Sequence, residues 1–145
     1  MDKISLEQDK KGEHSILILI LGGLAILAII TGLLTNYKNE TLTCSKLKNI
    51  CTVEKINLLN MKSTKKIVEY SDIATVGFMK QKVKGNKYAK GYSYYLLTFI
   101  LKDNNPKVIF KSEYYEKADV DSDVSSLRRQ MDDRNVDIVT LKRDY

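Results

Sequence analysis

The chain has 145 residues, with 24 Lys plus Arg against 18 Asp plus Glu and a single His, a length that sets an expectation of one small folded domain. Charged residues at 29% and hydrophobic residues at 43% exclude both a disordered chain and one wholly embedded in a bilayer. One Pro and seven Gly exclude collagen-like and linker-rich chains, and the lone His14 stands ahead of the folded body, so His triads, His metal sites and a cofactor are not expected.

Residues 1–14 form a short polar tail. Residues 15–35 follow as SILILILGGLAILAIITGLLT, in which Ile16 to Leu34 carry no charge. At about 1.5 Å per residue this run covers about 28 Å of helix, close to the ~30 Å hydrocarbon core. A core helix of a soluble protein would show a polar stripe, and this run shows none. It is longer than a signal-peptide h-region and no A-x-A site follows it, so an uncleaved transmembrane anchor is the expectation. A pilin stem is excluded because the fifth residue after Gly12 is Leu17 rather than Glu. Gly22, Gly23, Ala28 and Gly32 are candidates for helix–helix packing within the span, against the plainer reading of ordinary membrane composition.

Basic residues flank the span almost equally: Lys3, Lys10 and Lys11 before it, and Lys38, Lys46, Lys48 and Lys55 after it. Charge therefore leaves topology open. The basic body would suit an anionic cytoplasmic leaflet. Cys44 and Cys51, the only cysteines, suit an oxidising compartment. The second clue turns the reading toward a cell-membrane protein with an extracytoplasmic body.

Residues 36–145 alternate in short β-branched and aromatic runs broken by polar turns, a strand pattern. Strands are expected over Glu40–Cys44, Ile50–Leu59, Lys65–Tyr70, Ala74–Val83, Tyr92–Lys102 and Lys107–Tyr114. Cys51, Val53, Lys55 and Asn57 share one face of the second. The run YSYYLLTFILK is apolar on both faces and is expected to be central. The period then changes. Val120, Val124, Leu127 and Met131 mark one face of a helix with acids at its start, and a last short strand follows from Val136. Antiparallel strands followed by one amphipathic helix make an α+β or small-barrel plan, with the helix covering an open end of a curved sheet.

Leu42-Thr43-Cys44 with Cys51-Thr52-Val53, then Tyr70-Ser71-Asp72-Ile73, the strand Tyr94 to Leu101, Val108-Ile109-Phe110 and the final helix together resemble bacterial membrane-anchored pleckstrin-homology-like, split-barrel domains. The resemblance spans roughly Glu40 to Lys142 and lies in element order. It implies a module for interaction or lipid contact with no shared catalytic motif, and fold analogy does not settle function.

Cys44 and Cys51 are the disulfide candidate, with a reduced packed pair as the alternative. A zinc site would need further ligands that the body does not offer. Lys80, Lys82, Lys84, Lys87 and Lys90 stand in a hairpin without an acid, beside Tyr88 and Tyr92. They are the candidates for an anionic lipid or partner, against a solubilising hairpin tip. Asn39-Glu40-Thr41 matches a glycosylation pattern by chance. The expected function is a single-pass membrane protein displaying a small β-rich interaction domain, an accessory or scaffold subunit without catalysis. The alternative is a lipid-contacting module using the lysine hairpin, and an enzyme is the third reading. The partners expected are the membrane and a protein, with anionic headgroups in the alternative and no nucleic acid.

Overall fold

The computed structural model describes residues 3–145, with side chains from residue 16 onward. Helix α1 (Lys3–Thr35) leads into β1 (Tyr37–Ser45), β2 (Ile50–Asn57) and β3 (Lys62–Val68). A 3-10 turn at Tyr70–Asp72 precedes β4 (Ile73–Val83), β5 (Tyr92–Leu101) and β6 (Pro106–Val108), and α2 (Lys117–Asp132) and β7 (Ile138–Asp144) complete the chain. This is the expected α+β plan. The expectation for the tail at Met1, Asp2 and His14 lies outside the described residues or their side chains.

The tight turns follow from asparagine. Asn49, Asn60 and Asn104 take φ of 52°, 59° and 65° at the β1–β2, β2–β3 and β5–β6 turns. Among side-chain-bearing residues asparagine tolerates this left-handed region best. The ladders then form two antiparallel sheets, one ordered β3-β2-β1-β7 and the other β4-β5-β6. β5 is the central strand of its sheet, as its two apolar faces require. Between the sheets Leu42, Val53, Val76, Leu97, Phe99 and Phe110 are buried. Val120, Val124 and Leu127 of α2 join them, and Met131 packs at the margin.

Several boundaries differ from the sequence expectation: α1 already begins at Lys3, β1 at Tyr37 and β3 at Lys62, and Tyr70, expected in the third strand, opens the 3-10 turn. Helix α2 begins at Lys117, after the extended Glu116, with Asp119 in its first turn as expected. The strand expected over Lys107–Tyr114 pairs only at Pro106–Val108, and again as a single bridge between Tyr95 and Tyr114. Between those points Ser112 accepts from Arg143 and the segment leaves the ladder. β7 runs on to Asp144 because it pairs along β1, with Leu141 opposite Leu42 and Val139 opposite Cys44.

Two sheets stacked this way leave two mouths. Between β7 and β4 the mouth is closed by α2. Gln130 receives the Thr140 N–H at its Oε1 (3.0 Å) and gives an Nε2 hydrogen bond to the Thr140 carbonyl (3.1 Å). Arg128 gives two hydrogen bonds to the Val76 carbonyl, at 2.9 and 2.6 Å. Side chains of one helix thus occupy backbone groups that strands at sheet edges otherwise leave unpaired. The mouth between β3 and β6 has no such cover among the described residues.

Candidate membrane-facing surface

Ile16–Thr35 is long and apolar enough to cross a membrane, and none of it is buried against the body. Only Asn36 separates α1 from β1. That residue is held on both sides: its N–H donates to Gly32 and its carbonyl accepts from Leu58. The β2–β3 turn therefore sits beside the helix end, and it presents Leu58, Leu59 and Met61, each about half exposed. Three apolar side chains on a four-residue turn are costly in water and favourable at a bilayer interface. Leu58 and Leu59, expected at the end of the second strand, lie instead in this turn because β2 stops at Asn57, and Leu58-Leu59 ahead of Asn60-Met61 is the signal for it in the sequence.

Above that turn lies a cavity of about 450 Å³ lined by Thr35, Asn36, Tyr37, Lys111, Ser112 and Tyr145, with Glu40 in its wall. Glu40 is 1% exposed. Glu40, Leu42 and Cys44 alternate along β1, and Lys55 stands opposite Glu40 in the ladder. The same alternation that buries the apolar residues therefore buries an ion pair. The Lys55 ammonium pairs with the carboxylate and the Tyr145 hydroxyl donates to it. Burial pushes the Glu40 carboxyl up, but the hydrogen bonds from Lys55 and Tyr145 outweigh it and hold the group below the ordinary carboxylate range.

The network continues inward. The Arg143 guanidinium lies 3.4 Å from the Tyr114 ring centroid and donates to Ser112 at 2.8 Å. The Tyr114 hydroxyl donates to Asp123 at 2.6 Å. Burial first, and then these carboxylate acceptors, raise the Tyr114 and Tyr145 hydroxyls above the ordinary phenol value. Each of these titratable groups is taken up in tying β1, β7 and α2 together. None of them was singled out in the sequence, since an isolated Glu in a strand reads as a solvated side chain.

The lysine hairpin is ordered by its own loop. Asn86 Oδ1 accepts from the Tyr88 and Ala89 N–H groups. A Cβ at Gly85 would stand 2.5 Å from the Gly91 nitrogen, and one at Gly91 would stand 2.7 Å from the Gly85 nitrogen. Both glycines are required by the close approach of the two arms. Lys80, Lys82, Lys84, Lys87 and Lys90 are all exposed, Lys84 just beyond the end of β4. Tyr88 at the tip is 90% exposed.

A chain of contacts gives the hairpin its direction. Glu40 pairs with Arg143, Arg143 stacks on Tyr114, Tyr114 bridges to Tyr95, and Tyr95 pairs with Lys80. Lys80 thus stands level with Glu40. The other end of β4 is tied to the β1–β2 turn, where Asn49 bonds the Ser71 hydroxyl and N–H. β4 therefore runs back toward α1, and its hairpin projects on the side of the body from which α1 enters.

Cys44 and Cys51 are opposite one another in the β1–β2 ladder, fully buried, and joined as a disulfide with Cα atoms 4.0 Å apart. Asn39 is buried in the same strand and is no glycosylation acceptor as folded. In α1, at about 100° per residue, Gly22, Ala28 and Gly32 fall within one arc and Gly23 lies off it. A side chain added at Gly22, Gly23 or Gly32 would meet nothing within 4 Å. No group of His, Cys, Asp and Glu suited to a metal ion occurs among the described residues.

No family model, curated protein or solved structure matches the chain.

Proposed function

We propose that the chain is a single-pass cell-membrane protein that displays a β-rich, pleckstrin-homology-like split-barrel body as a non-catalytic accessory or scaffold subunit of a membrane assembly. The observation that carries this reading is the junction: an apolar helix of 20 residues joined to the body through one doubly hydrogen-bonded residue. Such a junction fixes how the body faces the bilayer, which suits presentation of a surface to a neighbour. The split of the strands into two sheets with a helix over one mouth supports the split-barrel part of the reading. The engagement of Glu40, Tyr114 and Tyr145 in strand-to-strand ties supports a body without catalysis. The buried disulfide favours an oxidising, extracytoplasmic location.

Alkaline carbonate extraction, combined with labelling of Cys44 and Cys51 in intact cells, tests it. The full-length chain should stay in the pellet, and once the cells are acid-quenched and denatured the thiols should react only after reduction. Release at full length by carbonate, or a mature N-terminus near Thr35, would overturn the anchor.

A second reading is favoured by the direction of the hairpin: Lys80–Lys90 meets anionic headgroups of the same bilayer. Each Lys near such a surface contributes about 1 kcal/mol, and interfacial Tyr suits the headgroup zone. The chain has no Trp, so Tyr88→Trp makes a single tryptophan that can be excited apart from the tyrosines. In nanodiscs containing phosphatidylserine it should be quenched by brominated acyl chains, and the additional change of Lys82, Lys84 and Lys87 to Glu should abolish the quenching. Equal fluorescence with and without brominated lipid would reduce the hairpin to a solubilising edge.

A further inference from the structure

The uncovered mouth between β3 and β6 is a built groove. It encloses about 260 Å³, with Lys65, Lys66 and Ile67 on one wall and Lys107, Val108 and Lys111 on the other. Val53 and Phe110 form its apolar floor. β3 and β6 each end a sheet in the strand order, so both walls finish in strand edges without a neighbour in their own sheet. Lys66 is offset by Glu69, whereas Lys65, Lys107 and Lys111 make no ion pair among the described residues.

We propose that this mouth binds an extended, acidic segment of a partner protein, whose backbone adds to the β3 or β6 edge while its carboxylates meet the lysines and its alternate apolar side chains enter the floor. Three observations select this occupant. The opposite mouth shows what the architecture takes up at its edges, since Gln130 and Arg128 satisfy the β7 and β4 backbone there. The lysines are spread along both walls. That distribution fits several carboxylates on an extended chain and not the single headgroup of a lipid. The floor accepts side chains from one face of a strand, the face that period-2 alternation supplies. The proposal rests on the scaffold reading and names the partner chemistry for it.

The test uses the full chain in nanodiscs of neutral lipid and a fluorescent ten-residue peptide of alternating Glu and Val. Anisotropy should report binding. Binding should weaken at least about tenfold for Lys65→Glu with Lys107→Glu, by charge reversal at the contact. It should weaken similarly when alternate peptide nitrogens are methylated, and should be unchanged by Lys82→Glu with Lys87→Glu in the hairpin. Both groove lysines are exposed, so an unchanged circular dichroism melt confirms that the variant is folded. Absence of binding, equal binding by the methylated peptide, or displacement of the peptide by phosphatidylserine in the nanodisc would each overturn the proposal. Photo-crosslinkers in native membranes separate this failure from that of the scaffold reading. Capture of a neighbour from position Leu47 but not from Ile67 removes the groove and leaves the scaffold, and capture from no face of the body removes both.

Discussion

The two mouths of the body are made by the same sheets and finished differently. On the β7–β4 side, α2 lays Val120, Val124 and Leu127 into the core and gives Gln130 and Arg128 to the strand edges. On the β3–β6 side, apolar side chains at Ile67 and Val108 remain half-buried beneath a rim of lysines. The difference separates two ways of managing a sheet edge. One covers the edge permanently from the same chain, and the other keeps it soluble with like charge. A permanently covered edge contributes stability, whereas a charged one stays available.

The largest effect that separates the mouths comes from placing a charge in each. Leu127 is fully buried, and Leu127→Asp should cost at least about 4 kcal/mol, from the lost apolar packing and an unpaired buried carboxylate. Near-UV circular dichroism of the full chain in micelles should show no cooperative melt. Ile67→Asp at the open mouth should cost less than about 1 kcal/mol and leave the melt intact. Equal loss from both would mean that the β3–β6 side is as closed as the helix side.

This pair of positions also shows what the sequence made legible. Leu127 stands out by a 3.6-residue period that needs only its own segment to be seen, and the polar stretch Ser45–Asn49 between two strand-like runs lets Cys44 face Cys51 if those strands pair. The features that the sequence does not reveal are non-local. β7 lies beside β1 through contacts across about a hundred residues, and nothing near Ile138 announces that neighbour. The groove lysines come from β3 and from the segment after β5. They form no run in the chain, whereas Lys80–Lys90 does, and only a run is visible without the strand register. Glu40 is the intermediate case. Its i, i+2, i+4 relation to Leu42 and Cys44 was visible, as was the placement of Lys55 with Val53. The inference that both therefore turn inward needed the register between β1 and β2.

Glu40 provides the next largest effect, on the side of the body that faces α1. Glu40→Gln leaves Lys55 largely buried without its counter-charge, and should cost about 2–3 kcal/mol at neutral pH. The pH dependence has a definite sign. The native carboxyl is held below its ordinary value, so the unfolded chain takes up a proton first as pH falls. The stabilisation is complete above about pH 4.3 and is lost below it, as pH drops through the lowered native value. Melting temperature of the wild type should fall through this acid window, and that of Glu40→Gln should fall less. Parallel curves would mean that Glu40 is not the group whose titration loosens the base of the body.

The smallest effects bear most directly on the contrast between the mouths. Gln130→Ala removes the side chain that both donates to and accepts from Thr140. It leaves a β7 amide and carbonyl beside a helix that limits access by water, and should cost about 1 kcal/mol. Lys65→Ala and Lys107→Ala remove exposed charges that have no ion-pair partner among the described residues, and each should fall within about 0.5 kcal/mol of the wild type. The lysine changes should even be slightly favourable at low salt, since like charges along both walls repel, and added salt should remove that gain. Denaturant midpoints at two salt concentrations measure all three. A Gln130 cost with neutral, salt-sensitive lysine changes fits one mouth built for stability and one kept open for binding. A loss at Lys65 or Lys107 as large as that at Gln130 would mean that those lysines are fastening the β3–β6 side shut, and the difference between the two mouths would then be one of residue type and not of role.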